Sequence, residues 1–365
     1  MPVAERWSYL DHAAVAPLCE PARQAISKWV NEATEEGDTT WPRWSAETEK
    51  TRAAAATLLN AEPGEIALVH STSEGINLVA EGFPWRSGDN IVTLDNEFPS
   101  NLYPWMNQTW RGVETRRVAA GDGRVTVEKL VDACDVRTRL ISVSWVGFLS
   151  GWRLDVGALV DAAHARGILV FLDAIQGLGV FPIDVQQTQV DFLAADGHKW
   201  LLGPEGAGIF YLRSEHLDLL RPTGVGWHSV TDASNYTRIH LDFKPTAARF
   251  EGGTQNMVGQ LGLGASLAML LELEPKRIAG RVLEITDDAC ERLATIGAQI
   301  KSFRDAEHRS GIVSFEVPGQ DSLAVKKKCL QHGVVLSCRG GLLRISPHAY
   351  VNDHDLERLI EALQS

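Results

Sequence analysis

The sequence predicts an α/β protein: a large domain on a sheet covered by helices on both faces, then a smaller α+β domain. Three observations carry this expectation. Short apolar, β-branched runs recur through the middle of the chain. Helical patterns separate them. Past about residue 255 the texture changes to long helices interleaved with isolated strands. The strand-like runs lie at 66–70, 90–94, 139–145, 168–173, 191–195 and 207–212, and read as near-continuous hydrophobic stretches suited to strands buried on both faces. Helical patterns at 74–82, 127–133 and 155–166 fill the intervals, the last stopped by Gly167. In the C-terminal third, helical patterns at 259–272, 276–296, 321–332 and 353–363 flank strand-like pieces at 311–317 and 342–346. The stretch 219–253, rich in Gly, Thr, His and aromatic residues, reads as ordered loop.

Composition narrows the function. With 365 residues, 44% of them hydrophobic and 22% charged, the chain can bury a sizeable core. A formal net charge of −12 argues against non-specific nucleic-acid binding, which needs clustered basic residues. The longest basic run, Lys326-Lys327-Lys328, reads as a solvated helix face. Five scattered cysteines without CxxC spacing favour reduced thiols in a cytoplasm over a disulfide framework or a zinc site, so no metal is expected. The first residues show no basic region followed by an apolar run, so no signal peptide is expected. No apolar stretch approaches the ~20 residues that span a membrane.

The candidate chemistry starts at Lys199, in Asp196-Gly197-His198-Lys199-Trp200, directly after the run 191–195. Ligands of open α/β sheets collect beyond the carboxyl ends of the strands. A lysine there, beside Trp200 and Leu201-Leu202, is partly desolvated, which lowers its pKa and frees the amine to attack an aldehyde. A surface lysine after a strand is the plainer alternative. Asp173 ends the run 168–173 and precedes Ala174-Ile175-Gln176. A carboxylate behind five apolar residues is expensive without a partner, and a protonated pyridine nitrogen would be one. Gln176 could then hydrogen-bond the ring hydroxyl; capping of the following turn is the alternative for Asp173. Ser71-Thr72-Ser73-Glu74 follows the run 66–70 and opens a helix, so hydroxyls, free N–H groups and the positive end of a dipole together suit a phosphate. Phe98 follows the run 90–94, where an aromatic ring can stack on a flat ligand or simply pack in the core. No P-loop is present, and Gly224-Val225-Gly226-Trp227 follows no strand, so ATP and dinucleotide sites are unsupported.

By order and placement these elements resemble the class V aminotransferase family of fold-type I pyridoxal phosphate (PLP) enzymes, which includes the cysteine desulfurases. The likeness runs nearly end to end. It rests on Leu10-Asp11-His12-Ala13-Ala14, Ser71-Thr72-Ser73-Glu74-Gly75-Ile76-Asn77, Leu172-Asp173-Ala174-Ile175-Gln176, Asp196-Gly197-His198-Lys199, Gly203-Pro204-Glu205-Gly206, Gly253-Thr254-Gln255-Asn256 and Leu343-Arg344-Ile345-Ser346. The resemblance implies a mainly parallel seven-stranded sheet between helices in a large PLP domain at 21–255, a small C-terminal domain at 256–365, and residues 1–20 packing with the small domain. It implies that Lys199 holds PLP as a Schiff base and moves protons at the substrate α-carbon. Asp173 would pair with the pyridinium, Gln176 would contact the ring oxygen, and Phe98 would stack on the ring. Thr72, Ser73 and His198 would hold the phosphate, helped by Thr254 from the other subunit of a homodimer. Arg344 would clamp the substrate α-carboxylate.

The departures bear on function. Phe98 stands where the desulfurases carry a histidine, and cannot move a proton. Asp196 replaces a phosphate-binding serine and is expected to point elsewhere, since it would repel a phosphate. Gly147 stands where a substrate-binding Asn is expected. The run Ser337-Cys338-Arg339-Gly340-Gly341-Leu342-Leu343-Arg344 has no room for the loop bearing a persulfide cysteine, so Cys338 reads as an ordinary thiol and Arg339 as a possible contact to a substrate side chain. Trp41-Pro42-Arg43-Trp44 and Gly226-Trp227-His228-Ser229 could shape a pocket or simply pack. The resulting expectation is a PLP-dependent aminotransferase acting on an α-amino acid. The alternatives are a desulfurase-like β-lyase without the persulfide loop, an epimerase of the isopenicillin N epimerase type, and a PLP-fold binding protein without catalysis.

Overall fold

A computed structural model describes residues 1–365. Its strands are, in chain order, β1 (Ser8–Tyr9), β2 (Ile66–Val69), β3 (Asn90–Leu94), β4 (Glu114–Val118), β5 (Thr138–Ser144), β6 (Leu169–Asp173), β7 (Phe192–Asp196), β8 (Gly208–Leu212), β9 (Gln299–Ile300), β10 (Val313–Glu316), β11 (Val334–Val335), β12 (Ser337–Arg339) and β13 (Leu342–Ile345). Seven of them form the large sheet, in the order β2-β8-β7-β6-β5-β3-β4. All its pairs are parallel except those made by β8, which runs antiparallel to both β2 and β7. Hence β2 runs with β7, and the carboxyl ends of β2, β3, β5, β6 and β7 open on one edge of the sheet. That geometry positions everything described below.

Strands β2, β3, β6, β7 and β8 are buried along almost their whole length. Their side chains feed two cores, one on each face. One strand escaped the sequence reading: β4 carries Glu114, Arg116 and Arg117 and lies half exposed at the sheet's edge, where charge discourages further pairing. Two long helices, Glu20–Glu35 and Trp41–Leu59, also went unread, and both pack on the helix Met257–Glu272. Leu263, Leu267 and Leu270 of that last helix belong to the large core, and a separate core begins at Ile285, inside the helix Pro275–Thr295. The second core also takes Leu10, and β1 pairs with β11, so the N-terminal segment is stitched to the C-terminal part. No single helix is long and apolar enough to cross a membrane.

The helix Thr72–Gly82 starts where its sequence dictates. The Ser71 hydroxyl accepts a hydrogen bond from the Glu74 N–H at 3.1 Å, a side-chain cap on the first turn. Gly75 lets the helix lie against β7, since a Cβ there would stand 2.6 Å from the Cβ of Ala194.

A buried ion pair ties the loop carrying Thr254 to the scaffold. Arg52 meets Glu251 through Nη1 at 2.5 Å and Nη2 at 3.0 Å, and Glu251 also accepts from the Leu68 N–H at 2.8 Å. Arg52 also donates to Glu49 at 2.9 Å, but that carboxylate lies on the solvent side, so removing Glu251 leaves the buried guanidinium without its interior partner. Glu251→Ala is therefore expected to destabilise the protein by about 3–5 kcal/mol. Urea denaturation measures it, and a loss under about 1 kcal/mol contradicts the account.

Candidate active site

At the carboxyl edge of the sheet a cavity of about 280 Å³ gathers eight of the nine candidate residues: Thr72, Ser73, Phe98, Asp173, Gln176, His198, Lys199 and Arg344. Each is delivered by a strand end or by the turn after it. Thr72 and Ser73 open the helix after β2, and the N–H groups of a helix's first turn have no intrahelical partner. The Thr72 hydroxyl accepts from the Asp196 N–H at 2.9 Å, locking the helix start to the end of β7, and the Ser73 hydroxyl donates to Ser100 at 2.8 Å. Phe98 follows β3. It is 45% exposed, unusual for a phenyl ring, and meets Phe148 edge-on at 5.4 Å.

Asp173 ends β6 and is 2% exposed. Burial pushes its carboxyl up to about 6; the Ile175 N–H, donating at 3.1 Å, and the nearby Lys199 charge hold it from rising further. Lys199, 9% exposed, is pushed the other way, down to about 8, by its own burial, with Asp173 opposing and Arg344 assisting. Its Nζ lies 5.6 Å from the centre of the Phe98 ring. An amine and a carboxylate thus share one dry wall, facing an open aromatic ring. The Gln176 side-chain oxygen accepts from the Trp200 indole at 2.9 Å, and its amide donates to Ala13 O at 3.0 Å, leaving one amide proton free.

Arg344 rises from β13 and is fully buried. Its Nη1 donates to Phe148 O at 2.7 Å, its Nε to the Ser337 hydroxyl at 3.2 Å, and its Nη2 to Asp11 at 3.3 Å. Each terminal nitrogen keeps one further N–H.

The structure also places the remaining residues singled out in the sequence. Asp196 is one of the residues around the same cavity, with its carboxylate Oδ1 buried. Its Oδ1 stands 3.0 Å from His198 Nδ1, yet out of line for a hydrogen bond, so both atoms are buried without a partner. Its backbone holds Thr72 while its carboxylate leans on the histidine. Thr254 is exposed and lies in a separate hollow with His70, Glu74 and Asn77. His228 faces Glu251 at 3.8 Å and does not line the Lys199 cavity; nor do Trp44, Trp227 or Cys338. Gly147 sits behind the wall, and its neighbour Phe148 reaches the cavity instead.

The sequence reading missed Glu97, Ser144 and Ser100. Ser144, at the end of β5, lies in register with Asp173. Glu97 accepts from the Ser144 N–H at 2.7 Å and from its hydroxyl, and burial raises its carboxyl to about 7. Its one sequence signal was its place beside Phe98 after a buried strand.

Comparisons with known proteins agree with this geometry. The family model for aminotransferase class-V matches residues 8–359. A probable cysteine desulfurase of Methanothermobacter thermautotrophicus is 31% identical across all of this chain and 96% of its own length. An uncharacterized aminotransferase of Bacillus subtilis is 26% identical over 99% of this chain and 95% of its own. Among solved structures, an apo cysteine desulfurase from Thermococcus onnurineus superposes with a TM-score of 0.90 at 25% identity, covering all of this chain and 95% of that one. A cystine C-S lyase, solved with its product cysteine persulfide, reaches 0.93 at 21% identity over 99% and 98% of the two chains, a likeness of fold. The chain therefore belongs to the class-V aminotransferase family, and is a PLP-dependent enzyme acting on amino acids.

Proposed function

We propose that this chain is an aminotransferase in which Lys199 bonds PLP and then carries the proton at the substrate α-carbon. The observation behind this reading is the meeting of Lys199 and Asp173 in one cavity, both buried, beneath the Phe98 ring. The donor set fits the cofactor. The first N–H groups and hydroxyls of Thr72 and Ser73 suit its phosphate, as does His198, which lines the same cavity. Phe98 offers a face for the ring, and the free amide proton of Gln176 suits the ring oxygen. When bound, PLP draws electrons from the substrate α-carbon and eases loss of its proton. Asp173, which has one backbone donor and a costly charge, gains a cationic partner from the ring nitrogen. Arg344 receives the α-carboxylate on the two N–H groups it holds in reserve. Phe98 exchanges no proton, so Lys199 would be the group that moves the proton at the α-carbon.

Thr254 is proposed to serve the phosphate of the partner's site in a homodimer; its exposure and its distance from its own chain's cavity support this. A second reading, a β-lyase, is favoured by the desulfurase relative. In that case it works without a persulfide thiol, because Cys338 lies on β12 outside the cavity, followed by a two-residue turn.

Borohydride reduction of the purified yellow protein is expected to fix a pyridoxyl group on Lys199, and Lys199→Ala to abolish turnover. A colourless protein with full activity sinks the proposal. Incubation with a panel of amino acids separates the two readings: oxo-acid formation marks transfer, and pyruvate from a β-substituted substrate marks elimination.

Two pH-linked outcomes follow from the buried pair. The attacking form of Lys199 is its neutral amine. With its pKa near 8, the rate at which the cofactor-free protein takes up PLP rises about tenfold from pH 7 to 9 and then levels. In the cofactor-free protein the Asp173 charge opposes folding above its raised pKa, because the unfolded chain ionises it more readily. Asp173→Asn is expected to stabilise that protein by about 1–3 kcal/mol at pH 7, with the gain fading as pH falls from 6 toward 4. Thermal unfolding across that range checks the sign, and a gain that grows on acidification contradicts it.

A further inference from the structure

The wall that carries Arg344 is a hairpin, and its register places a second guanidinium beside the first. Strands β12 and β13 pair Ser337 with Arg344, Cys338 with Leu343 and Arg339 with Leu342. Residues that pair across an antiparallel ladder share a face, and so do alternate residues along a strand. Ser337, Arg339, Leu342 and Arg344 therefore share one face, while Leu343 on the other enters the small-domain core. The turn between them is Gly340-Gly341, at φ +56° and +80°. Both values lie in the left-handed region that a two-residue hairpin turn requires and that glycine adopts without strain. A turn this short fixes where Arg339 stands, at the rim of the cavity whose floor holds Lys199.

The two arginines are differently provided for. Arg344 is fully buried and bonded to Asp11, Ser337 and the Phe148 carbonyl. Arg339 is exposed, and neither a hydrogen bond nor an ion pair holds its side chain. Asp11, the carboxylate on this side, is spent on Arg344 and on the Ser337 hydroxyl at 2.9 Å. Arg344 sits below the usual guanidinium range because it is buried, and the charge of Arg339 adds to that. An amino acid with one carboxylate would satisfy Arg344 and leave Arg339 facing the cavity unmatched.

We infer that the substrate is an α-amino acid whose side chain ends in a carboxylate, with the α-carboxylate on Arg344 and the side-chain carboxylate on Arg339. This rests on the reading of the cavity given above. The two-residue turn makes Arg339 a specificity residue, since it sets a second anion site at a fixed offset from the first. Arg339 matches a carboxylate with its planar fork, where a neutral amide would leave part of that fork unpaired.

The test is titration of the PLP-loaded protein, following the cofactor's absorption, with two matched pairs: L-aspartate against L-asparagine, and L-glutamate against L-glutamine. The acid of at least one pair is expected to bind roughly 10- to 100-fold more tightly than its amide. In Arg339→Gln that ratio falls to near one, and in Arg339→Lys part of it survives. Equal binding of acid and amide in both pairs, or a preference that persists in Arg339→Gln, overturns the inference while leaving the PLP assignment intact. A protein that takes up no PLP and binds none of the four sinks both.

Discussion

Everything at this site depends on keeping two opposite charges out of water at the same edge of one sheet. Asp173 and Lys199 are both buried, and no hydrogen-bonded ion pair neutralises either. Each shifts toward its neutral form because the interior solvates charge poorly, which brings both pKa values close to neutrality. A protein tolerates such a cost where function needs it, and perturbed groups converging in a cleft mark functional sites. The arrangement is poised for a ligand that brings a cation to the aspartate and an electrophile to the amine.

The fold supplies that edge by parallel strand pairing. Because β2 and β7 both run antiparallel to β8, the helix start after β2 and the lysine after β7 open on the same side. Thr72 then bonds the backbone of Asp196, so the anion cradle and the lysine turn are joined directly. Beside Asp173, Ser144 lines the cavity from the next strand, and the buried Glu97 takes both of its donors. From the far side, Asp11 of the N-terminal segment and Ser337 of the hairpin orient Arg344. Residues distant in sequence therefore position each reacting group, and the cavity exists only when the N-terminal segment, the large sheet and the C-terminal hairpin are assembled.

Much of this was legible in the chain. The buried strands announced themselves by unbroken apolar runs, and β3 falls at the predicted 90–94. The nomination of Lys199, Asp173 and Ser73 followed from their place at strand ends, where α/β sheets bind ligands, and the three meet in one cavity. What escaped lacked a local signal. β4 is polar because its edge position leaves it half in water, so it lacks the pattern of a buried strand. Glu97 reads as a surface carboxylate until Ser144 is seen to cover it. The contact that Asp196 makes was not legible either. Its Oδ1 is turned to His198 Nδ1 at 3.0 Å, a contact that residue identity does not reveal. Eight of the nine residues nominated from sequence, Lys199 among them, meet in one cavity. Thr254 faces a different hollow of its own chain, and its proposed role belongs to an assembly of two.

The central claim is that Asp173 holds a positive charge on the cofactor ring. Nitrogen NMR of PLP labelled at its ring nitrogen and bound to the protein reads that charge directly. The account predicts a protonated ring nitrogen across neutral and mildly alkaline pH, lost in Asp173→Ala. A ring nitrogen that is neutral at pH 7 in the unmodified protein would contradict it.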